Sequence, residues 1–228
     1  MALAFESHIP SSQYLHAVGR MRAAVDATFT VVPDGSWGLI VHRSGDATSA
    51  YLTGSTTKPI RVSLRAGDEI VSVSLKACVY APDRSAAALL DNAQLLPAAG
   101  GRKVWWNRLE KIELPTIETA EDFVAALVKR EQLILNKTVA AILTGHAPHT
   151  SARTLQRHFV QTTGMTHNYW QQIQRAQHAV SALQLGKSLA QVAYESGYVD
   201  QSHMNRWLKQ IVGRTPAAIA LNQAAETG

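Results

Sequence analysis

The sequence predicts an α+β protein: an N-terminal β-rich barrel- or sandwich-like domain followed by an all-α domain. Three observations carry this. Short segments rich in Val, Ile, Leu and aromatics recur about every ten residues as far as Tyr80. Apolar residues switch to helical spacing after Thr119, and the charge divides close to the same place. Residues 1–135 hold 14 Lys+Arg and 14 Asp+Glu. Residues 136–228 hold 8 against 3 (Glu195, Asp200, Glu226), which supplies the whole net charge of +5. A neutral front and a basic back fit two domains, the second facing a polyanion.

In the front half, FTVV (29–32), WGLIVH (37–42), AYLTG (50–54), IRVSL (60–64) and EIVSVSLKACVY (69–80) read as strands. The turn signals PDGS, SGD and AGD separate several of them. Beyond Pro82, DRSAAALLD (83–91) reads as a short helix and PAAGG (97–101) as a loop. Thr119 and Asp122 form a capping-box pattern ahead of Phe123, Val124, Leu127 and Val128.

Asn136 to Leu143 reads as a short helix ended by Gly145. Ser151 caps a helix carrying Leu155 and Phe159, which Gly164 ends. Tyr169, Ile173, Ala176, Val180 and Leu183 follow at spacings of 4, 3, 4 and 3, one apolar stripe on one long helix stopped by Gly186. Ser188 with Gln191 opens another short helix, stopped by Gly197. Asp200 caps the next, with Met204, Leu208 and Ile211 on its apolar side, and Thr215-Pro216 starts a last one. The predicted division is 1–115 β-rich domain, 116–135 connecting helix and 136–228 helical domain.

Hydrophobic content of 46% supports a packed core, and no apolar run approaches the ~18 residues of a membrane span. The start, MALAFESHIPSS, has neither a basic region nor a long apolar stretch of the secretory kind. The single cysteine, Cys78, forms no internal disulfide, and a reducing cytoplasm is expected. Ser-His-Asp, GxSxG, GxGxxG and P-loop patterns are absent, so neither an enzyme nor a cofactor is predicted.

A shift of 49 residues superimposes two parts of the back half. Ser151 falls on Asp200, Leu155 on Met204, Phe159 on Leu208, and Gln156 on Asn205. Arg157 meets Arg206, Gln161 meets Gln210, Gly164 meets Gly213 and Thr166 meets Thr215. The same capped helix thus occurs twice. At about 100° per residue, Arg153, Gln156, Arg157 and Val160 lie opposite the side marked by Leu155 and Phe159. In the second copy the outer side carries Ser202, Asn205, Arg206 and Lys209. Arg, Gln, Asn and Ser can read base edges in a major groove, Arg bidentate to guanine and Gln or Asn to adenine. Each such helix follows a shorter one after a tight turn, so the back half is expected to hold two helix-turn-helix units joined by the long helix.

The segments SARTLQRHFVQTTGMT, SLAQVAYESGYVDQSH and GRTP resemble the DNA-binding domain of the AraC/XylS family of bacterial transcription regulators, over about residues 136–222. The resemblance implies double-stranded DNA as partner, with both recognition helices entering major-groove segments on one face. It implies Arg153, Gln156 and Arg157 in the first unit and Gln201, Ser202 and Arg206 in the second as base or backbone contacts. It also implies RNA polymerase as a partner. In one respect the sequence departs from the family: the first helix and turn are compressed into TVAAILTGHAPHT (138–150), with Pro148 excluding a regular helix close to Ser151. The front half has the general look of the sensor or dimerisation domains found ahead of such units, which implies a small-molecule effector, a homodimer, or both.

Trp37 is the candidate effector-pocket residue; Trp105 and Trp106 suit a pocket or a core equally. His42 lacks an H-x-H or His-x-Glu companion, and His146 and His149 lack an acidic or Cys companion, so no metal is expected. Cys78, in an alternating run, is expected to be a packed strand thiol. Trp170 and Trp207 are expected to pack, Trp207 also standing beside Arg206. Two rival readings are an enzyme on the N-terminal barrel with a DNA-binding tail, and a non-specific architectural DNA binder.

Overall fold

The computed structural model describes residues 2–146 and 150–220. Pro148 and His149, on which part of the expected first turn falls, and the tail from 221 lie outside the described residues. The front strands are β1 (Leu3–His8), β2 (Leu15–Ala23), β3 (Ala27–Val31), β4 (Trp37–Ser44), β5 (Ala47–Thr53), β6 (Ile60–Leu64), β7 (Glu69–Leu75) and β8 (Val79–Tyr80). After helix α1 (Ala86–Leu89) come β9 (Ala93–Leu96), β10 (Lys103–Trp105) and β11 (Lys111–Glu113). Helix α2 (Ala120–Lys129) and β12 (Ile134–Leu135) follow. The main sheet is antiparallel in the order β1-β2-β7-β4-β5-β9. Three ribbons, β3–β6, β10–β11 and β8–β12, complete the β-rich half.

Alternation along the central strands decides which face is inside. Val18 lies opposite Val73, Val73 opposite Leu39 and Leu39 opposite Leu52, so all four share one face, and all are buried. That face packs with Trp106, Ile112 and Leu114 and with Val124 and Leu127 of α2. Burial of such side chains contributes roughly 1.5–3 kcal/mol each, which is what orders the sheet.

The helical half contains α3 (Lys137–Leu143), α4 (Ala152–Thr163), α5 (His167–Gln184), α6 (Leu189–Glu195) and α7 (Gln201–Ile211), with residues 216–220 also helical. The apolar core has two parts. One runs from Leu15 through the sheet and α2 to Val139 of α3 and Phe159 of α4; the other runs from Met165 to Ile219.

Several local expectations change. Strands β1 and β2 were not anticipated. The run 69–80 is not one strand: β7 stops at Leu75, the Val79 amide donates to the Lys76 carbonyl across a turn, and β8 pairs with β12 instead. The buried thiol of Cys78 therefore sits in that turn. Thr119 is the N-cap of α2 but makes no capping bond, because its hydroxyl accepts the Thr116 amide at 3.0 Å. Of the segment 116–135 expected as connecting helix, Ala120–Lys129 is helical and Ile134–Leu135 form a strand.

Candidate nucleic-acid interface

Both expected outer helices are built by the same local devices. Ser151 Oγ accepts the Thr154 amide at the start of α4, and Asp200 Oδ1 accepts the His203 amide at the start of α7. Gly164 and Gly213 follow the two helices with φ of 77° and 75°, the left-handed conformation that a side chain disfavours. Thr166 and Thr215 then cap the next helices, accepting the amides of Tyr169 and Ala218. The short helices α3 and α6, capped by Asn136 and Ser188, pack beside α4 and α7. Helix α5, 18 residues long, joins the two units; at 1.5 Å per residue it spans roughly 27 Å.

Phe159 in α4 and Met204, Leu208 and Ile211 in α7 are fully buried, while Leu155 is half-buried. On the other side every expected contact residue is exposed: Arg153, Gln156 and Arg157 on α4, and Gln201, Ser202, Asn205, Arg206 and Lys209 on α7. Among the described residues no carboxylate lies within ion-pair distance of Arg153, Arg157, Arg206 or Lys209. Lys187 is instead held by Glu195 at 2.6 Å. Two residues that sequence reasoning missed flank the turn ahead of α7: Tyr194 and Val199, each 87% exposed. Large apolar groups beside a capped turn in a polar stretch were the available signal.

The remaining candidates have local partners. Trp37 is buried, donates from Nε1 to the Val79 carbonyl at 2.7 Å, and lines a crevice of about 20 Å³ with Ser55, Tyr80, Thr162 and Thr163. Trp106 is buried with the Arg84 guanidinium over its ring, and Lys111 lies over Trp105. His42 meets Asp68 at 3.1 Å. Hydrogen bonds from Ser44, the Arg65 amide and His42 hold the Asp68 carboxyl down at about 2. Burial pushes the Cys78 thiol up. His146 contacts Thr144, and Trp207 donates to His203 while meeting Tyr169 edge-on. Among the described residues there is no cluster of three or more metal-ligating side chains, and no helix is long and apolar enough to cross a membrane.

Two capped helix pairs on a stiff connector, with polar outer sides, define a helix-turn-helix domain. Residues 146–221 match the family model described as a helix-turn-helix domain, which is of the AraC type. No curated protein matches the sequence. Solved structures similar over the chain include ToxT from Vibrio cholerae, 11% identical with a TM-score of 0.43, covering 97% of this chain and 98% of that one. ToxT from strain O395 bound to (E)-4-(8-methylnaphthalen-1-yl)but-3-enoic acid is 11% identical, with a TM-score of 0.37 and coverage of 98% and 100%. Unsaturated fatty acid bound ToxT from strain SCE256 is 14% identical, with a TM-score of 0.35 and coverage of 96% and 94%.

Proposed function

We propose that the protein is a cytoplasmic, sequence-specific transcription regulator that reads two successive major-groove segments on one face of DNA with α4 and α7. The supporting observation is the repeat itself: two equivalent helices expose an Arg preceded by an amide residue, Gln156-Arg157 and Asn205-Arg206, opposite their buried sides. The span of α5 is close to the ~34 Å of one duplex turn, so both helices fit one site without an internal palindrome. On this reading Arg153, Gln156, Arg157, Gln201, Ser202, Asn205, Arg206 and Lys209 are the contact residues, and RNA polymerase is the downstream partner. The functional division follows 1–115, 116–135 and 136–228.

Selection from a random duplex pool, followed by footprinting, tests this. The selected site should cover about two turns, bind less tightly as salt rises because phosphate contacts release counterions, and fail when half a turn is inserted between its subsites. Equal affinity for all sequences would make the protein an architectural binder. The front half we assign to sensing or dimerisation, with Trp37 at the wall of the effector site. A metabolite that stabilises the chain to heat supports sensing, since a ligand of the folded state raises its stability by mass action. A stable dimer with no such ligand assigns the half to dimerisation.

A further inference from the structure

Helix α5 is tied to the β-rich half by uncharged groups. Gln174 Nε2 donates to the Asp34 carbonyl at 2.8 Å, and Gln177 to the Pro33 carbonyl. The Tyr169 hydroxyl donates to the Thr57 carbonyl at 2.8 Å and accepts from Gln210 Nε2 of α7 at 3.3 Å. Thr57 is itself clamped: its amide and its hydroxyl both donate to the Asp91 carboxylate at 2.6 Å. Asp91 stands at φ 56° just after α1, and its amide donates to the Ser55 carbonyl. The first turn of α1 and the loop carrying Thr57 also meet the glycines that end the two outer helices. A Cβ on Gly164 would come within 2.5 Å of the Ala86 carbonyl oxygen, and one on Gly213 within 3.1 Å of Pro59.

We infer that Tyr169 is a positioning residue for DNA reading: through Asp91–Thr57–Tyr169–Gln210 the β-rich half fixes the placement of α7 relative to α4, and so the spacing between the two subsites. The inference rests on the two-helix reading proposed above. The hydrogen bonds and ring contact of Tyr169 go to Thr57, Gln210 and Trp207, none of them a contact residue named above for α7. Its hydroxyl therefore acts on geometry and leaves the base contacts in place.

The test uses the full chain and the duplex it selects from a random pool, with variants of that duplex carrying one base pair more or fewer between subsites. Tyr169→Phe keeps the ring against Trp207 and removes both hydrogen bonds. The preference for the selected spacing should weaken roughly 2- to 10-fold, the range of one neutral hydrogen bond, while base preference within each subsite stays unchanged. Gln210→Ala should weaken it in the same sense, and the double variant should lose less than the two single losses combined, because both remove one contact. An unchanged spacing preference in Tyr169→Phe, with the wild type showing one, overturns the positioning role alone. Equal loss of affinity on every spacing also overturns it, as the mark of a merely structural residue. A wild-type chain that enriches no sequence overturns the two-helix reading and this inference together.

Discussion

The two helix-turn-helix units are copies in sequence and opposites in their surroundings. In the second, Met204, Leu208 and Ile211 close on α5 and α6 in a core whose buried members all belong to the helical half, with Val32 and Leu90 packed against it. In the first, Phe159 and Val139 belong to the core of the β-rich half, and α4 packs on α1 and β8. A repeated motif therefore specifies the local helix, its caps and its outer side, but not what the apolar side is buried against. Helix α4 is seated on the β-rich half, and α7 mainly on its own half.

The largest expected effect probes that seating directly. Phe159→Ala should cost about 3–5 kcal/mol and Leu208→Ala about 2–5 kcal/mol, the usual range for emptying a buried position. The two should differ in what melts: Phe159→Ala lowers the stability of the β-rich half, whereas Leu208→Ala spares it. Denaturant unfolding followed by hydrogen exchange strand by strand checks this, and identical exchange patterns would erase the contrast.

On the DNA side the contrast should vanish. Arg157→Ala and Arg206→Ala should each lose about 1–3 kcal/mol at the selected site, each relaxing its own subsite only, with additive losses because the positions share no partner. Neither should change the melting temperature, since both side chains are exposed. If both instead weaken binding equally on every sequence, they hold phosphates, and base reading falls to Gln156, Gln201, Ser202 or Asn205.

A smaller difference is expected at the paired glycines. Alanine at either position meets the roughly 1–2 kcal/mol penalty of the left-handed conformation. Gly164→Ala must also push aside the backbone at Ala86, whereas Gly213→Ala meets only the ring of Pro59. The first should melt at a clearly lower temperature than the second; equal melting temperatures would mean that α4 is less tightly seated than its contacts indicate.

The smallest effect separates the halves by pH. Asp68 of the β-rich half has its carboxyl lowered to about 2, so its bonded carboxylate stabilises the folded state fully above the ordinary Asp range near ~4. That contribution is lost as pH falls from about 4 through about 2. In Asp68→Asn the acid-induced drop in stability of the β-rich half over that window should be shallower than in the wild type, with the helical half unaffected.

What was legible in the sequence was local. Caps at Ser151, Ser188 and Asp200 act on amides three residues away, so spelling alone revealed them. Strands β4 to β7 showed because their alternation is clean. Strand β2 was hidden because Arg20 and Arg22 stand on the same face as Val18, opposite Val71 and Glu69, and are held by Glu6, Glu118 and Glu69. That ion network breaks the apolar period that marks a strand. Strand β1, at the sheet edge and largely exposed, has no apolar period to show. The outer sides of α4 and α7 could be read from helical geometry. The ties of Tyr169, Gln174 and Gln177 could not, because their partners lie more than 100 residues away; the run of amides on α5, where a solvent face would carry charges, was the one local trace.

That choice of amides has a consequence for how the molecule meets a changing cell. Among the described residues no ion pair joins the β-rich half to the helical half; every such pair lies within one of them. Glutamine and tyrosine donating to main-chain carbonyls make bonds between uncharged groups, and dissolved ions screen them little. On the reading proposed above, a shift in potassium therefore changes how firmly the arginines grip DNA and leaves the seam between the halves as it was. The instrument is insulated from the medium in which it measures.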